Sequence, residues 1–182
     1  VPGEPFSFNA AGGNWGLATN GVHLADTFAF YDGSPDIVND GTHIDPILHP
    51  SKRGDGLFDL SGTLHGYTKN GSHLSISYLP DSDTSEHITI TTKNFSSIID
   101  HSRRWALHSD AGSGWTWRQV PFPDDILVSQ MTKDFASDIL LSGRCDLPSL
   151  EESLVAHRFV LDALQPHFSR LLGRESDLCP VT

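Results

Sequence analysis

The sequence contains few cysteines, few cations and no long apolar run, and each scarcity excludes a class of protein. Cys145 and Cys179 are the only cysteines among 182 residues, too few for a disulfide framework or a cysteine metal knuckle. We therefore expect two free thiols in a reducing cytoplasm. Lysine and arginine number 12 against 23 acidic residues, a net charge of −11, which disfavours nucleic acid and anionic lipid as partners. No stretch approaches the roughly 18 apolar residues of a membrane span.

The start of the sequence lacks an initiator methionine, a basic region and an apolar region. No secretory signal peptide is therefore visible, and we expect the chain to be a piece of a longer protein. The length and the 37% hydrophobic content suit one globular domain with a substantial core. No internal repeat and no low-complexity linker divides it.

Apolar and polar residues alternate at the start of the chain and through its middle, which predicts about six strands within residues 5–11 and 36–121. Asn70-Gly71, between two alternating runs, is typical of a type I′ hairpin turn. A period of three to four residues instead predicts helices over residues 14–32, 126–142 and 149–168. Because strands and helices are segregated, we predict an α+β fold with an open, mostly antiparallel (mixed) sheet and helices on one face.

The last predicted helix has both a start signal and an apolar stripe. Ser149 followed by Glu152 three residues later is a capping box. The spacing predicts that the buried face of this helix is formed by Leu150, Leu154, His157, Leu161, Leu164 and Phe168.

Two further patterns invite a cofactor hypothesis, and neither is complete. His43, Asp45 and His49 lie close in sequence, but a zinc site needs three or four converging ligands, and His49 lies beyond Pro46. We therefore predict no metal site. The glycines of residues 12–16 follow a strand and precede a helix, but their spacing is wrong for a phosphate cradle.

His23 lies in the middle of the first predicted helix. Gly16 and Gly21 lower helix propensity there, which indicates that something packs close to this backbone. Histidine is the usual side chain for proton transfer near neutral pH, but a histidine bonded within the core would give the same pattern. Polar and aromatic side chains fall near one side of this helix and its approach, namely Asn14, Trp15, Thr19, Asn20, His23 and Asp26.

Residues 12–26 resemble the first helix of the C-terminal domain of the glucose–fructose oxidoreductase/inositol dehydrogenase (Gfo/Idh/MocA) family. In that family a glycine-led segment precedes a helix with Gly-x-His-x-x-Asp, here Gly21, His23 and Asp26. Residues 140–153 and His157 are similar to the family's closing pair of helices. The ending Cys-Pro-Val-Thr is similar to that of a subgroup associated with bacterial surface-sugar clusters.

The resemblance implies a two-domain parent protein. Its N-terminal Rossmann domain, absent here, would hold NAD or NADP, and residues 1–182 would form the C-terminal domain that binds substrate and forms an oligomer through its sheet. The reaction implied is hydride transfer at a carbinol carbon of a sugar or sugar derivative. This chain alone is expected to be inactive and not to bind the dinucleotide tightly, because the phosphate cradle lies upstream.

The resemblance also implies roles for particular residues. His23 matches the catalytic histidine, which takes part in proton transfer or in binding a substrate hydroxyl. Many family members have an aspartate where this chain has Thr19, so the resemblance favours binding over a proton relay. The residues implied to bind substrate are Asn14, Trp15, Thr19 and Asn20.

Two other functions remain open at this point. The first is a non-catalytic regulatory or ligand-binding domain of the same fold, which the departure at Thr19 allows. The second is a β-rich carbohydrate-binding module that uses Trp105, Trp115 and Trp117, although the terminal helices would then have no purpose.

Overall fold

A computed structural model of the protein describes residues 3–14, 16–51, 53–122, 128–175 and 178–181. Within these ranges the chain forms three α-helices, α1 (Leu17–Asp32), α2 (Val128–Ser142) and α3 (Leu150–Leu172). The ten strands are β1 (Ser7–Gly12), β2 (Val38–Ile44), β3 (His49–Pro50), β4 (Phe58–Asp59), β5 (Gly62–Tyr67), β6 (His73–Tyr78), β7 (His87–Thr91), β8 (Phe95–Asp100), β9 (Trp105–Asp110) and β10 (Arg118–Val120).

Eight strands form one sheet in the order β10-β9-β8-β7-β1-β6-β5-β2, and β3 pairs with β4 separately. All neighbours in the large sheet are antiparallel except β1 and β6, which are parallel. The predicted α+β fold with a mixed, mostly antiparallel sheet is therefore confirmed.

The sheet has more strands than the six predicted, because alternating runs that looked continuous are interrupted. Residues 95–107 form β8 and β9 with a turn between them. In that turn the Asp100 carboxylate accepts a hydrogen bond from Arg103 N at 2.8 Å, and Arg104 has φ 57°. The run over residues 57–64 is likewise split into β4 and β5.

Helices α1 and α3 pack on each other and on the same face of the sheet. From the strands Phe8, Leu64, Leu74 and Ile76 are fully or almost fully buried against them. Close approach is visible at Gly66, where an added Cβ would lie 2.6 Å from Cε2 of Phe159 in α3. This face of the sheet is the hydrophobic core.

The opposite face of the sheet is mostly polar. Strand register aligns Asn9 with Ser75 on one side and with Thr89 on the other. The same row continues to Ile98 and Leu107 in β8 and β9. The uncovered face is therefore hydroxyl-rich at its centre and more apolar toward β9.

The hairpin between β5 and β6 is confirmed, but the predicted type I′ turn is wrong. That turn needs positive φ at both central residues, and here Gly71 has φ 85° while Asn70 does not have a positive φ. Thr68 and Ser72 instead close a wider turn, with Thr68 N donating to the Ser72 carbonyl at 3.0 Å. The Asn70 side chain is directed to Asp32, at the end of α1.

The capping box of α3 is confirmed. Ser149 N donates to the Glu152 carboxylate at 2.7 Å, and Glu152 N donates to the Ser149 hydroxyl at 3.2 Å. Hydrogen bonds to the Glu152 carboxylate from the Ser149 backbone amide and then from the Ser149 side chain favour the ionised form and lower the pKa of Glu152.

The predicted buried face of α3 is partly wrong. Leu164 and Phe168 are buried, but Leu150 is 71% exposed and His157 is exposed. The helix is rotated because α1 packs along a different stripe, where a Cβ on Gly21 would lie 3.7 Å from Cγ1 of Val160. The buried residues are Ala156, Phe159, Val160, Leu164 and Phe168.

Helix α2 carries apolar side chains that the described structure leaves exposed. Leu140 and Leu141 are 84% and 88% exposed. Gly143 follows the helix with φ 69°, a left-handed C-cap. Ile126 and Leu127, at the start of the predicted helix over residues 126–142, lie outside the described residues. None of the described helices is long and apolar enough to cross a bilayer.

Candidate functional site

The approach to α1 is a glycine segment held between β6 and the loop that follows it. A Cβ on Gly12 would lie 2.8 Å from Cε1 of Tyr78, and one on Gly13 would lie 2.0 Å from the carbonyl oxygen of Ser82. Gly13 N also donates to the Thr84 carbonyl at 3.0 Å. Close backbone packing is thus the reason that side chains are excluded at Gly12 and Gly13.

The first turn of α1 is capped from a distance by Asp59, at the end of β4. One carboxylate oxygen of Asp59 accepts from Ala18 N at 2.8 Å and from Leu60 N at 2.7 Å. The other accepts from the Thr19 hydroxyl at 2.5 Å. The side chain of Asp59 is buried, with 4% of its residue surface exposed, and it replaces the side-chain cap that Gly16 cannot supply.

Tyr78 and Glu86 form a second hydrogen-bonded pair near the start of α1, in which Tyr78 is buried and Glu86 is half-buried. The Tyr78 hydroxyl donates to the Glu86 carboxylate. Burial raises the pKa of Tyr78 far above its ordinary value, and the hydrogen bond to Glu86 and its negative charge add to the increase, whereas a hydrogen bond with the Asn20 side chain opposes it. The Asn20 amide nitrogen lies near the Tyr78 ring, since a Cβ on Gly16 would be 3.0 Å from that nitrogen and 3.5 Å from Cε1 of Tyr78.

His23 lies one helical turn after Thr19 and is exposed. Residues four apart occupy the same helix face, so Thr19, His23 and Thr27 share one face of α1, which is half-buried at both threonines and exposed at His23. The core-histidine interpretation of His23 is therefore wrong. On this face the Thr27 hydroxyl donates to the His23 carbonyl at 2.8 Å, and Phe30, further along, is 79% exposed.

The structure brings together part of the site that the sequence suggested. Thr19 and Asn20 are half-buried beside Asp59 and Tyr78. Asn14 is exposed in a left-handed conformation with φ 60°, and its amide donates to the Asp83 carboxylate at 3.4 Å. Trp15, which the sequence suggested as a fourth binding residue, lies outside the described residues.

Sequence reasoning missed Asp59, Tyr78 and Glu86. Asp59 is distant in sequence from its partner in α1, since Thr19 and Asp59 lie 40 positions apart. One signal was available, because Asp59 stands between Phe58 and Leu60 in an apolar stretch. A carboxylate in such a stretch requires hydrogen-bond donors once it is buried.

The histidine group near β3 has a structural role. Ser61, which is fully buried, donates to the Asp45 carboxylate at 2.6 Å and lies 3.0 Å from Nε2 of His49. The serine separates these two side chains, and His43 is exposed on β2. Across the described ranges, no three His, Cys, Asp or Glu side chains are grouped as metal ligands.

The two cysteines are free, as predicted. Cys179 packs against the core cluster, and burial raises the pKa of its thiol to about 11. Of the tryptophans suggested for a carbohydrate-binding module, Trp115 and Trp117 are 49% and 47% exposed and Trp105 is half-buried.

Comparison with known proteins gives matches at the level of structure only. No protein-family model matches the sequence, and no curated protein matches it. Among solved structures, a dehydrogenase (MviM) from Clostridium difficile superposes with a TM-score of 0.64 at 12% identity, over 88% of this chain and 54% of that one. A Gfo/Idh/MocA family oxidoreductase from Vibrio cholerae gives 0.58 at 16% identity, over 92% and 54%.

A third structure, the 3-ketoreductase KijD10 from Actinomadura kijaniata in complex with TDP-benzene and NADP, gives a TM-score of 0.58 at 15% identity, over 86% of this chain and 50% of that one. The chain thus spans about half the length of the structures that it matches. At these identities the likeness concerns the fold. The resemblance seen in the sequence is confirmed at that level: the chain has the fold of about half of a Gfo/Idh/MocA family oxidoreductase.

Proposed function

We propose that the protein containing this chain is an NAD(P)-dependent oxidoreductase that acts on a sugar or sugar derivative, and that this chain binds the substrate. The fold is shared with oxidoreductases, among them KijD10, crystallised with NADP. Another neighbour, from Acidithiobacillus ferrooxidans, is a UDP-N-acetylglucosamine 3-dehydrogenase with a TM-score of 0.57 at 12% identity, matched over 91% of this chain and 53% of that one.

The observation that carries the proposal is the arrangement at the start of α1. An exposed imidazole, His23, stands one turn from Thr19 and Asn20. Thr19 is held by the buried carboxylate of Asp59, and Asn20 lies beside the buried Tyr78. A titratable group beside preorganised polar groups is what proton transfer to or from a bound hydroxyl requires.

The start of α1 is unsuited to binding a pyrophosphate. The helix that follows a glycine segment is α1, and its first amides are already used: Leu17 N donates to the Leu60 carbonyl at 3.1 Å and Ala18 N to Asp59. A dinucleotide phosphate would need those donors free. We therefore assign NAD(P) binding to the part of the parent protein outside this chain, where the cofactor would accept or supply the hydride.

The chemistry proposed for this chain concerns the substrate hydroxyl. Thr19 and Asn20 would bind and orient the sugar. An imidazole nitrogen of His23 would accept the hydroxyl proton as the carbinol is oxidised, and would return it in the reverse direction.

Exchange of one histidine in the full-length protein tests the proposal. His23→Ala is expected to lower kcat by about 10²-fold or more with an unchanged melting temperature, because the side chain is exposed. His157→Ala is the matched control, an exposed histidine on α3 that is expected to leave kcat unaltered. Unchanged turnover in His23→Ala would contradict the catalytic role.

Calorimetry with the 182-residue chain tests whether NAD(P) binds outside this chain. Titration with NADH or NADPH is expected to give no heat of binding. Micromolar affinity would mean that the chain carries a nucleotide site of its own.

We also propose that the parent forms a homo-oligomer through the uncovered face of the sheet. Its apolar part, at Ile98 and Leu107, is half-buried in the single chain. Ile98→Glu should reduce the molar mass measured by light scattering to that of a monomer. An unaltered mass would place the interface elsewhere.

The alternative is a regulatory domain that binds a sugar without turnover. The observation that favours it is Thr19, whose hydroxyl bonds Asp59 and so supports binding without a carboxylate at that position. Sugar binding by the full-length protein with no change in NAD(P)H absorbance would support this alternative.

A further inference from the structure

The hydrogen bonds at the start of α1 have a definite direction. The Asp59 carboxylate can only accept, and it already accepts from two backbone amides, those of Ala18 and Leu60. The Thr19 hydroxyl must therefore donate its single hydrogen to Asp59, at 2.5 Å. The lone pairs of the Thr19 hydroxyl oxygen remain unused by this bond. Because the residue is only half-buried, that oxygen can accept a hydrogen bond from a ligand.

Asn20 follows Thr19 and is also half-buried. Its amide nitrogen lies 3.0 Å from the position that a Cβ on Gly16 would take, and Cε1 of Tyr78 lies 3.5 Å from the same position. The Tyr78 hydroxyl donates its hydrogen to Glu86. Adjacent residues of a helix do not face each other, so the acceptor that Asp59 fixes is Thr19 by itself.

We propose that Asp59 is a positioning residue that fixes the Thr19 hydroxyl as a hydrogen-bond acceptor, and that this acceptor selects ligands with a donor hydroxyl at that position. The inference deepens the proposed function, on which its ligand class rests. A demand for a donor favours a free hydroxyl over an ether, a ketone or a deoxy position at the same place. Asp59 itself does not touch the ligand, since it is buried behind Thr19.

Asp59→Asn reverses the direction of one bond with little change in shape. The new amide oxygen can still accept from Ala18 N and Leu60 N, but the amide nitrogen would donate to Thr19, whose hydroxyl hydrogen is then released. Thr19→Val removes the hydroxyl at constant shape, and Thr19→Ser restores it. Together these variants distinguish the effect of the direction of the Thr19–Asp59 hydrogen bond from the effect of having a hydroxyl at residue 19.

Hydroxyl protons report the direction without any ligand. In full-length protein labelled with ¹³C-threonine, the Thr19 hydroxyl proton should exchange slowly with water and give a resolved NMR signal. In Asp59→Asn its exchange should be about tenfold faster or more. A Thr19 hydroxyl proton that already exchanges freely in the native protein would overturn the proposal, whatever the enzyme does.

Binding of defined probes tests the selection. D-glucose, myo-inositol and UDP-N-acetylglucosamine are titrated into the full-length protein by calorimetry. For any probe that binds, Kd should rise about tenfold in Asp59→Asn and in Thr19→Val and stay near native in Thr19→Ser. For that probe, an analogue with one hydroxyl replaced by fluorine should bind the native protein and Thr19→Val equally.

The outcomes distinguish this inference from the proposed function. Native affinity in both Asp59→Asn and Thr19→Val would overturn the inference and leave the oxidoreductase proposal standing. Weaker binding in these variants without any NAD(P)-dependent turnover would support the inference and overturn catalysis. Absence of binding by all three probes would overturn both.

Discussion

Asn70 lies on the hairpin between β5 and β6 and donates both to the carboxylate of Asp32, at 3.2 Å, and to its carbonyl oxygen, at 3.1 Å. Thr68 adds a bond to the same carboxylate at 3.1 Å. The end of α1 is thereby tied to the turn of the hairpin. Burial by itself would raise the pKa of Asp32, but hydrogen bonds from Ser34, Ser72, Thr68 and Asn70 outweigh it and lower the pKa.

Asp32→Asn should therefore destabilise the fold at pH 7 by about 1–3 kcal/mol. A carboxyl whose pKa is lowered in the folded state stabilises it above its ordinary pKa of 3.8, and this stabilisation is lost as the pH falls through the lower, folded value. The difference between variant and native protein should accordingly shrink below about pH 4. Urea unfolding at several pH values measures it. Asp36→Asn, at an exposed neighbour, is the control, and a native-like Asp32→Asn at pH 7 would contradict the expectation.

Gly66→Ala should destabilise the protein by about 1–3 kcal/mol. The new methyl group would lie 2.6 Å from Cε2 of Phe159 and 2.9 Å from Cγ2 of Ile37, so α3 would have to move off the sheet. Gly54→Ala is the matched control, since its methyl group meets nothing closer than Leu57 Cδ1 at 3.5 Å. Thermal unfolding of both variants gives the comparison, and equal melting temperatures would show that α3 does not pack as described.

Tyr78 should make the fold sensitive to high pH. Because burial and Glu86 raise the pKa of the phenol in the folded state from its ordinary value of 10.0, the neutral form is bound more tightly by the fold. This stabilisation is complete below pH 10 and declines as the pH rises further. Absorbance at 295 nm should show one tyrosine that ionises only when the protein unfolds.

The Tyr78→Phe variant removes that group. Its stability should depend less steeply on pH above 10 than that of the native protein, and the absorbance step at unfolding should be lost. A step of unchanged size in Tyr78→Phe would assign the late ionisation to another tyrosine.

Cys179 should react slowly with thiol reagents. Burial raises its pKa from 9.0 to about 11, which lowers the thiolate fraction near pH 8 by about a hundredfold. In Cys145→Ser, reaction with Ellman's reagent should therefore be much slower than that of glutathione, and unfolding in urea should abolish the difference. Rapid reaction of folded Cys145→Ser would mean that the thiol is accessible and ionised.

The parts of the fold that depend on neighbours in sequence could be predicted. The capping box needs only Ser149 and Glu152, and the hairpin needs only the residues around Gly71. The segregation of strands from helices likewise follows from local periodicity. These features follow the sequence because their hydrogen bonds join residues three or four apart.

The rest depends on distant partners. Judged from its sequence neighbours, Asn70 is typical of a type I′ turn. Its side chain instead donates a hydrogen bond to Asp32, 38 residues away. Packing against α1 determines which face of α3 is buried, and the spacing of the leucines in α3 does not. The candidate site divides in the same way: Thr19, Asn20 and His23 could be named from one helix, whereas Asp59 and Glu86 become relevant only when the chain has folded.

Strand β1 has a consequence for how the sheet assembles. In the described chain β5 and β6 are joined by a short hairpin, as are β7, β8 and β9, so each half of the sheet can form by rapid local closure. The two halves meet only through β1, which pairs with β6 on one side and β7 on the other. Pairing of Ser7 with His73 closes a loop of more than sixty residues, and pairing between strands so distant in sequence is slow. We therefore expect insertion of these six residues to be the slow step of folding, the one that brings the Gly12 approach and the start of α1 against Tyr78.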